Sequence, residues 1–378
     1  AQTPAWRNPA AHAYTRSTLE SADDVARLAD VLLGFRGRDG HPPVWQANTV
    51  MATPDFARLQ SPRFECATLP VVHYPGFPSR WQRPGMWLEV QRARDAGVWW
   101  PELHGLVHLP QTAWLQALRA GTDDALRAHA HQCFVCAAVE AGAEYDPGEP
   151  AEVRSRALAQ AVERFREQFG RAPDSLCAPD YRWDERLEAD AEALGVTTFQ
   201  GRSEQMGHRL RRLRHVFRRL RWRGSRGRRF DMPARIAFEP RGDAASGSRL
   251  GAATAHRKAR AAWGRGQPAV VSSHRLNYAH LDPVWPEAGR GALRDLLAPL
   301  ARDRAIFLTD AEARSLHEHA WSLRALKGRT ALLRYYGEPR ACVRIPAPAG
   351  ATGVALRDAR SAIGTEVPRL AMEAGEVV

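Results

Sequence analysis

The chain has 378 residues, 44% of them hydrophobic and 12 of them tryptophan, so it can bury a large core and furnish a groove with flat apolar faces. Five scattered cysteines (Cys66, Cys133, Cys136, Cys177, Cys342) do not make a disulfide framework, Cys133-x-x-Cys136 lacks the second pair of a zinc ribbon, and no run approaches the ~18 apolar residues of a membrane helix. The net charge of +12 is local: Arg202 to Arg229 carries twelve arginines against one acid, Glu204, so basicity alone does not make this a nucleic-acid protein.

In chain order, Ser21 to Gly34 reads as a helix, with Asp23 and Asp24 in the first turn and Val25, Leu28, Val31 and Leu32 at helical spacing. Pro42-Pro43 breaks the chain. Val44 to Val50 reads as a buried strand ending at Asn48-Thr49, and Thr53-Pro54-Asp55-Phe56 as a helix start. Gly85 to Gly97 is expected to be helical, Val98 to Leu106 a strand, Gln111 to Ala120 a helix, and Asp123 to Ala141 one long helix. A further helix is expected over Glu152 to Phe169, ending at Gly170. A short strand at Ser175 to Ala178 follows, then a loop at Pro179 to Trp183, a helix from Asp184 to Leu194 and a strand from Val196 to Phe199. Beyond the arginines, Ala255 to Gly264 and Ala292 to Arg302 read as helices, and Ala269 to Ser273 and Ala305 to Leu308 as strands. This alternation predicts a parallel α/β sheet or barrel, with sites at the strand C-termini. From about Lys327 short alternating runs separated by Pro and Gly predict a small β-rich module over 326–378, after an α/β domain over 1–325.

Glu102-Leu103-His104-Gly105-Leu106-Val107-His108 follows the apolar run Val98-Trp99-Trp100. Neutral imidazole is a common metal ligand, and a His-x-x-x-His pair can aim two rings at one ion if the segment coils. The zincin pattern is not met, because Gly105 stands where that motif needs a glutamate. A third histidine, His274, ends the run Ala269 to Ser273, flanked by Arg275, Asn277 and Tyr278, a set that can orient a polar ligand. Pro179-Asp180-Tyr181-Arg182-Trp183 brings a carboxylate, a guanidinium and two aromatics onto a strand–helix loop, with a helix cap and a core Trp183 as the plainer reading. Asp23-Asp24 is better explained by helix capping than by metal chemistry. Leu210, Leu213, Val216, Phe217 and Leu220 give the arginine-rich segment a near-helical apolar stripe, so it reads as a solvated arm or a contact for an anionic surface. No nucleic-acid recognition motif accompanies it.

The ordered series His104-Gly-Leu-Val-His108, Ala178 to Trp183, Phe199-Gln200-Gly201, Phe238-Glu239-Pro240 and Ser272 to Tyr278 resembles the polysaccharide deacetylase (NodB-homology) superfamily, over about residues 20 to 310. Within it, the chain is similar to a bacterial branch of polysaccharide (de)acetylase-like proteins. The resemblance implies a distorted (β/α) barrel of the glycoside hydrolase/deacetylase type. It also implies a divalent metal, usually zinc, with His104 and His108 as metal ligands and His274 as catalytic acid. Asp180 is a possible stand-in for the catalytic base. Asn48, Tyr181, Trp183, Gln200, Arg275, Asn277 and Tyr278 would contact the sugar. The chain departs from the family in one respect: no Asp-Asp at the end of an apolar strand precedes the first helix. It begins at Ala1 rather than Met, and two readings stay open, a sequence that starts after that strand or a protein without the acid pair.

These features lead to the expectation of a metal-dependent hydrolase that removes acetyl groups from a bacterial polysaccharide or its precursor. The expected partner is a glycan, with nucleic acid disfavoured. A glycoside hydrolase using Asp180 and Glu239, or a catalytically degenerate glycan-binding protein, are the alternatives. With no visible signal peptide and thiols that read as free, the cytoplasm is the expected compartment.

Overall fold

The computed structural model describes residues 17–65, 68–70, 82–201, 225–226, 229–241, 250–325, 331–336, 345–346, 372–373 and 376–377. Nearly all of the arginine-rich segment, and the N-terminal stretch around Trp6, lie outside these residues. The first helix, α1 (Ala22–Leu33), starts where the sequence places it. Ser21 accepts from the Asp24 amide while the Asp24 carboxylate accepts from the Ser21 amide, a reciprocal cap worth about 1 kcal/mol. Asp23 bonds Arg27 one turn on, so both acids serve the helix end.

A six-stranded sheet forms the centre. Its strands are β1 (Trp45–Thr49), β4 (Trp99–Leu103), β5 (Ser175–Leu176), β6 (Thr198–Gly201) and β8 (Arg229–Ala234), all parallel in that order, with β7 (Ser225–Arg226) antiparallel at the β8 edge. The antiparallel pair β2 (Ala52–Pro54) and β3 (Thr68–Pro70) stands apart. After Arg235 the chain continues from β8 into β9 (Ile236–Ala237), which pairs in parallel with β10 (Val271–Ser272). The fold is therefore α/β with a parallel central sheet.

Between the strands run α2 (Met86–Asp95), α3 (Gln111–Arg119), α4 (Asp123–Ala130), α5 (Ala137–Glu140), α6 (Ala151–Phe169), α7 (Glu185–Ala193), α8 (Ala252–Trp263) and α9 (Val284–Arg302). Their apolar faces build two cores. Leu158, Val162 and Phe165 of α6 pack with Leu103 and Leu176. Leu28 and Val31 of α1 pack with Trp99, Phe238 and the Leu293, Leu296 and Leu297 stripe of α9. A polar row lies below the strand ends. Asp310 accepts from Gln46 and Ser175, Gln200 donates to Ser175, and Asn48 and Gln200 exchange amide bonds at 3.0 and 2.9 Å.

Four sequence expectations change. Thr53 to Phe56 is not a helix start: Ala52–Pro54 forms β2, and the Asp55 carboxylate accepts from the Ala57 and Arg58 amides to close a turn instead. The single helix over Asp123 to Ala141 is two, because the chain reverses at Gln132 (φ 51) and Asp124 reaches across to the Ala137 amide. Ala305 to Leu308 joins no strand ladder; the Ala305 carbonyl accepts from the Arg38 amide instead. The last long helix begins at Val284 rather than Ala292, two turns earlier, despite Pro286, Gly289 and Gly291.

The expected boundary at 325/326 is straddled by a hairpin of β11 (Trp321–Ala325) and β12 (Ala331–Tyr335). Its arginines tie it to the preceding fold. Glu312, in α10 (Asp310–His319), is 2% exposed, caps its own helix at Thr309, and pairs with Arg324 and Arg334, while Arg334 also reaches Asp39 at 2.6 Å. Removing Glu312 leaves the buried Arg324 without this carboxylate and Arg334 with Asp39 as its remaining acid, an uncompensated buried charge. Glu312→Ala is expected to lower the unfolding free energy by about 3–5 kcal/mol in urea melts; a loss below about 1 kcal/mol would show that the cluster contributes no more than a surface pair.

Candidate functional site

The site grows from one row of the sheet. Thr49 pairs with Leu103, Leu103 with Leu176 and Leu176 with Phe199, so the residues just beyond this row lie at one level. His104 is held there on both sides: its amide donates to the Thr49 carbonyl, and its ring Nδ1 lies 2.5 Å from the Cys177 carbonyl. A carbonyl only accepts, so Nδ1 carries the hydrogen and Nε2 keeps its lone pair, the arrangement that orients metal-binding histidines. The loop then coils at Gly105 (φ +88) and returns His108, itself at φ 63, to within 4.8 Å of the His104 ring, centroid to centroid and 66° apart in plane.

Burial disfavours the charged form of both imidazoles and pushes each down to about 4. For His104 the Cys177 carbonyl opposes this and Arg235 adds to it; for His108 the neighbouring His104 ring adds to it. Both rings are therefore neutral at pH 7 with lone pairs available. The loop is anchored from behind by Glu144, a buried carboxylate that accepts from the Leu106, Val107 and His108 amides at 3.0–3.1 Å.

His274 arrives from the other strand pair. It caps the 3₁₀ turn Arg275–Asn277 after β10 and shares its Nδ1 hydrogen with Glu239 at 2.7 Å. Glu239 is 1% exposed and also accepts from Asn277 at 2.7 Å, so its carboxylate is turned wholly towards the histidine turn. Gly289 of α9 makes this possible: a Cβ there would lie 1.8 Å from the Asn277 carbonyl oxygen, so only glycine lets the helix close on the turn. Asp180 sits on the third strand-end loop, exposed, in a left-handed conformation (φ 50, ψ 14), and its charge is felt by both His104 and His108.

A cavity of about 1380 Å³ includes this level, where His104, His108, Asp180, His274, Asn48, Tyr181, Gln200, Arg275 and Tyr278 line it, and extends past β1 to the apolar Leu28, Trp99 and Leu293 to Leu300 faces. Two residues expected to touch a sugar, Trp183 and Asn277, are not among those that line it. Trp183 is 2% exposed, stacks on Phe199 and donates to Glu188, so it belongs to the core. Asn277 is fully buried and spends its amide on Glu239, Ser273 and the His274 carbonyl, bracing the turn instead. Tyr278 reaches the cavity with its hydroxyl already against Ser273, and Arg275 lies within 3.9 Å of Glu20.

Arg235, at the β8–β9 junction, was not singled out in the sequence, yet it enters the cavity and donates to the Tyr181 hydroxyl at 2.8 Å and the Cys177 sulfur at 3.1 Å. It stands in a stretch with no motif around it. Glu102, the acid preceding the histidines, lies one pleat below His104. Its carboxylate accepts from Trp100, Arg171 and the Asp174 and Ser175 amides, so it serves the sheet.

Whether a divalent ion fits turns on the donors. His104 and His108 are neutral, adjacent and correctly buttressed, which suits zinc. The two imidazoles thus offer two neutral nitrogen donors, with no third ligand grouped with them among the described residues. No protein family, curated protein or solved structure matches the chain.

The depressed imidazoles make stability depend on acid. Between pH 6.5, the ordinary value, and about 4, the unfolded chain takes up protons at His104 and His108 that the folded chain refuses, so stability falls as pH falls through this window. The double variant His104→Gln/His108→Gln is expected to show a flatter stability profile over that range in thermal melts. An equally steep profile would place the acid sensitivity elsewhere.

Proposed function

We propose that the protein is a metal-dependent carbohydrate deacetylase built on a distorted (β/α) barrel. The observation that carries this reading is the meeting of the two neutral imidazoles His104 and His108 with the carboxylate-braced His274 on one cavity at the C-terminal ends of parallel strands. In α/β folds that is where reacting groups gather. The chain running on from β8 into β9, which pairs with β10 as a separate two-stranded sheet, is compatible with barrel curvature.

In this reading His104 and His108 would hold a divalent ion, which when bound supplies Lewis acidity to a carbonyl oxygen and lowers the pKa of water. The protein's own groups then carry the proton traffic. Asp180 takes a proton from the water that attacks the acetyl carbon. His274, fixed by Glu239 through Nδ1, presents Nε2 and gives a proton to the departing amine or alkoxide as the C–N or C–O bond breaks. Tyr181, held by Arg235, and the Asn48–Gln200 amide pair offer hydrogen bonds to a polar substrate on the cavity wall.

The glycosidase alternative needs two carboxylates facing a groove. Glu239 is committed to His274 and Asn277, which leaves Asp180 alone. A glycan-binding protein without turnover would keep the cavity and lose the metal dependence.

Acetate release from acetylated oligosaccharides, with and without chelator, tests the proposal. Release should require a divalent ion, vanish in His104→Ala, and fall by about 10²–10⁴ in kcat in His274→Ala. Unchanged release in His104→Ala, or shortened sugars as products in place of acetate, would contradict it.

A further inference from the structure

Three successive backbone amides, those of Leu106, Val107 and His108, converge on one carboxylate, the kind of concave N–H array that holds anions. The occupant is a side chain of the protein itself. Glu144 comes from 36 residues further along the chain and is 2% exposed; among the described residues no cation is bonded to it and its oxygens accept from this loop alone. Burial pushes its carboxyl up to about 7, and these amides oppose the shift.

Two features of the loop depend on that carboxylate. His108 sits at φ 63, a conformation that disfavours any residue with a Cβ and persists only when neighbours enforce it. Its amide is the one that Glu144 Oε2 accepts at 3.1 Å. Gly105 sits at φ +88, and a Cβ there would lie 2.2 Å from Glu144 Oε2 and 3.2 Å from Pro179 Cγ. The glycine is therefore required twice, by its backbone conformation and by the space the carboxylate fills.

We infer that Glu144 is the positioning residue of the histidine pair: by gathering the amides of residues 106–108 it holds His108 in its strained conformation and so sets its ring against that of His104. Glu144 touches neither substrate nor ion; it acts through the backbone of the loop. The inference deepens the proposed metal-dependent activity and rests on the two histidines acting together.

The test uses the full-length protein and the isosteric variant Glu144→Gln, in which an amide NH₂ faces backbone donors. Two quantities are read. Side-chain ¹H–¹⁵N spectra of the metal-free protein should show the His108 ring signals displaced or broadened in Glu144→Gln, with His104 keeping its Nδ1–H form. Cobalt(II) affinity, followed by its visible absorption, should fall by about 10–100-fold, the range typical of groups that orient metal ligands. Should Glu144→Gln fail to fold, Glu144→Asp, which keeps the charge but draws the oxygens back from the loop amides, makes the same test with the same expected losses. Unchanged His108 signals together with cobalt affinity within about twofold of the unmodified protein would overturn the positioning role. If the unmodified protein binds no cobalt but Glu144→Gln still displaces the His108 signals, the positioning role stands and the metal reading fails.

Discussion

The structure depends on the in-register parallel row Thr49–Leu103–Leu176–Phe199. Parallel strands bury both faces, and here the row is flanked by the helix-packed core on one side and the Asp310–Ser175–Gln200–Asn48 polar row on the other. Because β1, β4 and β5 all end at this row while β6 runs on to Gly201, the first residues past those three strands emerge at a common level. The same backbone bonds that finish the ladder, His104 amide to Thr49 carbonyl and Cys177 amide to Leu103 carbonyl, bring the Cys177 carbonyl under the His104 ring. The tautomer of His104 is thus a consequence of strand register. A one-residue slip would turn that ring to the opposite face.

The two histidine sites are braced in different ways. His274 is fixed through its ring by Glu239, which Asn277 holds in turn. The loop from Gly105 to His108 is fixed through its backbone by Glu144. Each brace is a carboxylate fully spent on its histidine segment, and each relies on a glycine for closeness: Gly289 against the Asn277 carbonyl, Gly105 against Glu144. Glu239 lines the cavity with its oxygens spent on His274 and Asn277, Glu144 is not on its wall, and Asp180 is an exposed acid beside the histidines.

Much of this was legible in the sequence. The helix starting at Ser21, the strand ending at Asn48-Thr49 and the helix closed by Gly170 each have a local cause, a cap or an apolar period, and appear where expected. The pairing of His104 with His108 followed from spacing and a glycine. What was not legible depends on distant partners. Arg235 and Glu144 have no local motif, and their roles arise from contacts with Tyr181 and with the loop 106–108. Trp183 and Asn277 carry chemistry suited to sugars, but stacking on Phe199 and bonding to Glu239 consume it. Ala305 to Leu308 has a strand's composition but pairs with no strand among the described residues, its Ala305 carbonyl accepting from the Arg38 amide.

The central claim is that His104 and His108 act as paired ligands, and X-ray absorption at the zinc edge of the zinc-loaded protein tests it most directly. Two imidazole nitrogens at about 2.0–2.1 Å, both lost in a His104→Ala/His108→Ala variant, is the predicted result. Zinc bound with an unchanged ligand shell in that variant, or no stoichiometric zinc in the unmodified protein, would contradict it.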